Sequence, residues 1–386
     1  MTKKIVIVGG GFAGVKAALE LSKRRVGKIT LISDESYFLH HATLYATATG
    51  RNIAESVISL KDIFSGHQDV TIVKDFVTNI DTKQRVVIGR HSEHVYDEVI
   101  FALGSVTTFF NITGVAQHAY GIKSLDEIKK FRMHMKEEVL NGSLGKEYVV
   151  IGAGSTGVEL AGALQDYINE LEITHKLKSQ TRVTLVEAAS RILPHASTTA
   201  AKIVGKRLVK QGIRVLAGQK VELLDADYIR VDGKKISTRT AIWTSGVANN
   251  SFFGAHEDLF KLTPQGRVIV DDQLQVRPHV YVIGDNNSVK YSGTAWAALR
   301  QATFVAKHLS RQAKDVDIKK FKPRSAALGI PVGNDWGYVE WLGVYVAGMS
   351  GYAARRLIEL RGYRQLLPFK KAVAVWRAHD LPQVDE

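Results

Sequence analysis

The apolar positions of this chain fall into short, nearly continuous runs separated by polar or glycine-rich turns. Lys4-Ile5-Val6-Ile7-Val8, Ile29-Thr30-Leu31-Ile32, Glu98-Val99-Ile100-Phe101-Ala102-Leu103-Gly104-Ser105, Tyr148-Val149-Val150-Ile151 and Val183-Thr184-Leu185-Val186-Glu187 are apolar runs, most of them rich in β-branched residues. Such runs predict strands covered on both faces, as in parallel sheets. Phe12 to Ser22 and Thr156 to Asp166 carry apolar residues at helical spacing, and each follows one of these strands across a glycine-rich turn. Further helices are predicted over Ala200 to Gln211 and Thr294 to His308. Further strands are predicted over Thr71 to Val73, Arg85 to Ile88, Ile213 to Leu216, Thr240 to Thr244, Arg267 to Val270 and Val280 to Ile283. A charged hairpin is expected from Val221 to Ile236, turning at Asp232-Gly233.

Strands alternating with helices predict an α/β chain of two Rossmann-like, three-layer dinucleotide-binding domains with a small C-terminal module. The expected divisions are 1–112 with 247–325, then 113–246, then 326–386. The charge cluster from Arg311 to Lys322, up to Pro323, marks the last boundary.

Both strand-to-helix turns have one glycine pattern, Gly9-Gly10-Gly11-Phe12-Ala13-Gly14 and Gly152-Ala153-Gly154-Ser155-Thr156-Gly157. One glycine makes the turn, one lets backbone approach a pyrophosphate, and one lets helix and strand pack closely, while the helix N-terminus supplies the anion site. In the second copy the next strand closes on Glu187, where an acid binds the adenosine ribose hydroxyls of NAD. The nearest arginine, Arg191, is too far along to compel a 2′-phosphate, so NADH is expected in preference to NADPH. In the first copy the equivalent strand ends in Ser33, with Asp34 and Glu35 following, and the ribose ligand stays open among these three.

The chain has no cysteine, which excludes disulfides, thiolate metal sites and a redox-active dithiol. A net charge of +14 implies attraction to polyanions, nucleic acid or anionic lipid. The aromatic-basic strand or helix-turn-helix pattern of nucleic-acid binding is missing, so none is expected. Met1-Thr2-Lys3-Lys4 leads straight into the first strand, and no apolar run reaches 18 residues, so neither a leader nor a membrane span is expected. His91 and His94 lie in a polar turn without further ligands, and no metal site is expected.

The order of these pieces resembles the two-dinucleotide-binding flavoprotein superfamily. Within it, the chain resembles the type II NADH:quinone oxidoreductases and the apoptosis-inducing-factor-like, ferroptosis-suppressor type of quinone reductase. The signposts are the two glycine loops, Phe101-Ala102-Leu103-Gly104, Ile242-Trp243-Thr244-Ser245-Gly246-Val247 and Val282-Ile283-Gly284-Asp285.

The resemblance implies FAD in the first domain, at Gly9, Gly11, Phe12, Ala13, Gly14, Ser33, Asp34, Val77, Ala102, Gly104, Gly284, Asp285 and Ala295. It implies NADH in the second, at Gly152, Gly154, Thr156, Gly157, Glu187 and Gly246, with Glu159 as a catalytic residue near nicotinamide and flavin. The expected activity is hydride transfer from NADH to the flavin and two-electron reduction of a quinone, without proton pumping. A soluble NADH-dependent reductase of another acceptor, such as a ferredoxin-like protein, is the alternative.

Where the family commonly reads Ala-Gln-x-Ala-x-Gln, this chain has Ala295-Trp296-Ala297-Ala298-Leu299-Arg300, so Trp296 and Arg300 are the expected quinone contacts. His40 and His41, in the family's flavin-facing loop, are expected at the surface. From Gly343 to His379, basic residues interleaved with Leu, Tyr, Phe and Trp suit interfacial helices broken at Pro368. They predict a peripheral location on the cytoplasmic side of the cell membrane, with a soluble cytoplasmic enzyme as the alternative and a homodimer as a further family expectation.

Overall fold

Strand Lys4–Val8 stands inside a six-stranded sheet in the order Gln275–Arg277, Val280–Val282, Glu98–Phe101, Lys4–Val8, Lys28–Ser33, Val70–Lys74. All neighbours are parallel except the edge strand Gln275–Arg277. Ile5 to Val8 are buried, as a strand covered on both faces requires. The second sheet, Arg214–Ala217, Arg182–Glu187, Glu147–Ile151, Thr240–Trp243, is wholly parallel. In both sheets the strand order reverses beside the strand that feeds the glycine loop, which is where doubly wound sheets bind ligands. The computed structural model describes residues 2–142, 144–177, 181–317 and 319–381. Ile318, in the charged boundary segment, and 382–386, at the end of the expected C-terminal module, lie outside them.

Antiparallel pairing of Ser105–Thr107 with Val247–Asn249 ties the two places where the chain passes between the sheets. The C-terminal part is a three-stranded antiparallel sheet, Leu328–Pro331, Gly337–Trp341 and Val344–Gly348, packed by helix Met349–Tyr363 and followed by helix Phe369–Ala378. Its Ile330, Val332 and Tyr338 share one core with Leu44 and Tyr45 of the first domain and Ile128, Leu160 and Leu164 of the second. The C-terminal part therefore wedges against both domains.

Three element expectations change. Arg267 to Val270 makes no strand, because its amides bond to loop carbonyls, Val268 N to Asn286 O and Ile269 N to Lys261 O. The charged hairpin is a three-stranded meander, Val221–Leu224, Tyr228–Val231 and Lys234–Ser237, in which Asp232-Gly233 joins only the last two strands. The stretch from Val344 to Gly348, expected as the start of an interfacial helix, is a strand. Leu342 (φ 51°) and Gly343 (φ 82°) form a two-residue turn of the kind that matches strand twist, and this makes Trp341 and Val344 partners across a hairpin.

Candidate functional site

Each glycine loop is built the same way. Gly9 N donates to Ile32 O at 2.8 Å and Gly152 N to Val186 O at 2.7 Å, with φ of +117° and +102°. A Cβ on Gly14 would stand 1.8 Å from Gly9 O, and one on Gly157 would stand 1.8 Å from Gly152 O, so no other residue fits where helix meets strand. A Cβ on Gly11 or Gly154 would meet nothing within 4 Å, because those positions open outward. Gly11 and Gly154 are also the N-caps of helices Phe12–Lys23 and Ser155–Thr174, and neither helix start is capped by a side chain. Two helix starts thus present unspent N–H groups to an incoming anion, which is the donor set a pyrophosphate needs.

The acids differ between the copies. Glu187 accepts from Ala153 N at 2.7 Å and Ala189 N at 2.8 Å, which fixes its carboxylate at the strand end beside the loop. Arg191 is occupied by carbonyls, donating to Pro194 O (2.9 Å), Ala196 O (2.8 Å), Leu193 O (3.2 Å) and Ser197 O (3.3 Å), so its guanidinium is not available to a 2′-phosphate. Strand register places Ser33 at the position equivalent to Glu187, but its hydroxyl fills the space beside Gly10 and accepts from Glu35 N. Asp34 and Glu35 both line the cleft next to it.

That cleft is continuous, of about 1660 Å³, larger than the roughly 300–1,000 Å³ of a single ligand pocket. It brings together Gly9, Gly11, Phe12, Ala13, Ser33, Asp34, Val77, Ala102, Gly104, Gly284, Asp285 and Ala295 from the expected flavin set. From the expected nicotinamide set Thr156 and Gly246 also line it, with Glu159, Trp296 and Arg300. Gly14, Gly152, Gly154, Gly157 and Glu187 do not line it. Gly14 and Gly157 are packing positions, while the others shape the outer loop of the second domain.

Glu159 lies just past the first turn of helix Ser155–Thr174 and turns inward, only 7% exposed. Burial pushes its carboxyl up to about 8, Arg355 works against this, and Glu359 adds to it. Arg355 is spoken for by Glu359 Oε1 at 2.9 Å, and Arg356 holds the other oxygen at 2.7 Å. Near Asp285, Ser105 Oγ donates to Oδ2 at 3.4 Å and receives from Lys123 Nζ at 3.1 Å. Burial holds the Lys123 ammonium below its ordinary value, with Asp285 and Glu127 acting against that.

Lys123 belongs to no motif and sits in a loop with no periodic signal, so sequence reasoning missed it. The same reasoning passed over Asn286 and Gln301. Asn286 pairs with both backbone groups of Gly104 (2.9 and 2.7 Å), and Gln301 accepts from Gly284 N at 2.7 Å, so together they lock the Gly284-Asp285 strand end.

On helix Ala295–Gln312, Trp296 and Arg300 share a face, with the guanidinium 6.0 Å from the indole ring centre. Arg300 Nη2 donates to Lys322 O, yet Trp296 Nε1 and Arg300 Nε are buried without a hydrogen-bond partner among the described residues. Buried orphan donors are costly, and neither atom is open to the cleft, so it is the indole ring and the outer guanidinium that these two residues present to it. His40 is not at the surface. The turn at His41–Thr43 folds it inward, and its ring packs between Phe12 (5.0 Å) and Tyr363 (4.6 Å). His41 is exposed, along the cleft.

The sequence profile of the pyridine nucleotide-disulphide oxidoreductases matches residues 3–302. A type II NADH:quinone oxidoreductase of Staphylococcus aureus is 26% identical over 405 aligned positions, covering 96% of this chain and 98% of that protein. Its namesake from Staphylococcus epidermidis is also 26% identical, with the same coverage. Among solved structures, NDH2 from Plasmodium falciparum in complex with NADH has a TM-score of 0.87 at 18% identity and covers 98% of both chains. A sulfide:quinone oxidoreductase from Aquifex aeolicus has a TM-score of 0.80 at 16% identity, covering 98% of this chain and 92% of that one.

Proposed function

Because the chain belongs to the pyridine nucleotide-disulphide oxidoreductase family, we propose that it is a flavoenzyme that takes hydride from NADH and passes two electrons to a quinone at a membrane surface. The observation that carries this reading is the continuous cleft, reached by the first glycine loop and by Ser155 and Thr156 of the second, and ending at an apolar mouth. FAD and NADH are its cofactors, and a bound flavin supplies the two-electron relay between nicotinamide and acceptor. The absence of cysteine removes the dithiol through which many members of this superfamily pass electrons, so the acceptor must come to the cleft itself.

The chain's own residues bind, orient and exclude water. The uncapped start of helix Phe12–Lys23 takes the FAD pyrophosphate, Asp34 or Glu35 its ribose, Val77 its adenine side, and Asp285 its ribityl side. The start of helix Ser155–Thr174 takes the pyrophosphate of NADH and Glu187 the ribose, where its fixed carboxylate repels a 2′-phosphate. Glu159, buried between that helix and Arg355, stands beside the nicotinamide and holds a proton at neutral pH. Trp296 and Arg300, side by side on the cleft wall, are the residues that meet the quinone.

The membrane reading rests on the mouth. Trp341 and Leu342, at the tip of the C-terminal hairpin and 60% and 78% exposed, line it together with Ile358 and Arg361. Val344, Met349 and Leu357 extend the exposed apolar surface, and Arg364 lies over the exposed Phe369 ring. Aromatic and aliphatic tips flanked by guanidinium groups suit the headgroup region of an anionic bilayer. Among the described residues no helix is long and apolar enough to cross a membrane, and the contact proposed is peripheral, on the cytoplasmic face.

The purified holoprotein is expected to be yellow, to bleach on adding NADH, and to recover its colour faster with a short-chain ubiquinone than with oxygen. A protein that stays colourless when supplied with FAD, or bleaches with NADH but ignores every quinone, defeats the proposal.

A further inference from the structure

Reducing a quinone with NADH consumes a proton from water. The hydride brings two electrons and one proton, whereas the quinol carries two new O–H bonds: NADH + H⁺ + quinone gives NAD⁺ + quinol. A cleft that shields its reacting atoms from water still has to admit that proton.

Behind the cleft wall a series of hydrogen bonds runs outward through the core. It starts at His40, which lines the cleft, with Nδ1 to Thr43 Oγ1 at 3.2 Å. It continues from Thr43 to Ser56 at 2.8 Å and from Ser56 to Thr47 at 2.7 Å, and in both pairs either hydroxyl can be the donor. Thr47 Oγ1 then donates to Glu55 Oε1 at 3.5 Å, the longest link, and the other Glu55 oxygen meets His379 Nδ1 at 2.7 Å. His379 Nε2 reaches the hydroxyl of half-buried Tyr352 at 3.3 Å, beside the exposed Asp380.

Thr43, Thr47, Ser56 and Glu55 are at most 1% exposed. A core needs no such string of hydroxyls, and apolar residues of the same volume would pack there without the desolvation cost.

We propose that this His40–Thr43–Ser56–Thr47–Glu55–His379–Tyr352 series is the proton entry path for quinone reduction. Each hydroxyl accepts one proton as it releases another, so charge crosses the wall with no group leaving its place. Glu55 is the reservoir. Burial raises its carboxyl, His379 opposes this, Glu359 adds to it, Arg356 opposes it, and the Tyr363 hydroxyl donates to its backbone carbonyl. At the inner end, burial first, then Arg355 and His41, keep His40 neutral, with one ring nitrogen to accept and one to donate.

The proposal rests on the quinone-reductase reading, and the test separates the two. Ser56→Ala deletes the hydroxyl shared by two links, and Thr47→Val breaks the next link while keeping the side-chain shape. In each holoenzyme, NADH-driven turnover is measured with a short-chain ubiquinone and with ferricyanide, a one-electron acceptor that takes up no proton.

The expected result is a fall of about tenfold or more in quinone turnover, a larger solvent deuterium isotope effect on it, and ferricyanide turnover within about twofold of the unmodified enzyme. Wild-type quinone turnover in both variants overturns the path, as does an equal loss with both acceptors. A wild-type chain that reduces ferricyanide but no quinone refutes the underlying reading instead.

Discussion

Glu159 shows how far a single residue can depart from its sequence setting. Its sequence setting, close behind the second glycine loop, suits a solvated acid favoured by the helix dipole, but it lies just past the first turn and the fold turns it away from solvent, toward Arg355 and Glu359. Because its folded value, about 8, lies above the ordinary 4.5, its favourable contribution is complete below the unfolded value and is lost as pH rises toward 8. Glu159→Gln stays neutral throughout, so the variant should gain Tm relative to the parent between pH 5 and pH 8.5. A Tm difference that does not change with pH would show that Glu159 ionises freely in the folded protein. Ser33 is the opposite case. Its departure from the family acid is visible in the sequence, and the structure supplies the reason, since the small hydroxyl fills the space at Gly10 and leaves Asp34 and Glu35 facing the cleft.

Helix Ala295–Gln312 was legible as an element from its small residues and its place after Gly284-Asp285. Which of its faces meets the cleft came only from the family resemblance, which pointed to Trp296 and Arg300, because helical spacing does not say how the helix docks. Docking puts Trp296 and Arg300 on the cleft wall and turns Gln301 inward to Gly284. Trp296→Ala removes the ring from the cleft wall. It should raise the quinone KM roughly tenfold, the worth of a lost aromatic contact, and leave the NADH KM alone. Equal quinone KM values would make Trp296 a packing residue.

The helix Met349–Tyr363 corrects the sequence reading in the same way. Arg355 and Arg356 look like part of a basic interfacial face, but both are buried on Glu359, and Arg356 also lies over Trp376, so neither can meet lipid. Residue type along one helix cannot distinguish a guanidinium that meets water from one paired inside.

Across the whole molecule, the C-terminal part lines the cleft with Trp341, Leu342, Ile358 and Arg361, so the proposed membrane contact and the proposed quinone entry fall in one place. Replacing both Trp341 and Leu342 by Glu should cut binding to vesicles of anionic lipid at least tenfold in a flotation assay. Raising salt should weaken binding of the parent, since each basic residue at such a surface contributes about 1 kcal/mol. Unchanged flotation of the double variant would move the contact elsewhere.

The two glycine loops, their strands and helices, the Glu187 signature and the missing dithiol were determined by the sequence alone, because each depends on neighbours within a few dozen residues. The family follows from them. Tertiary structure decided what depends on distant segments meeting: Glu159 facing Arg355, Lys123 reaching Ser105 beside Asp285, and Glu55 bonded to His379 across the chain. Those contacts pair charged or polar groups whose cost of burial is met only by a partner far away in sequence, and no local pattern records such a pairing.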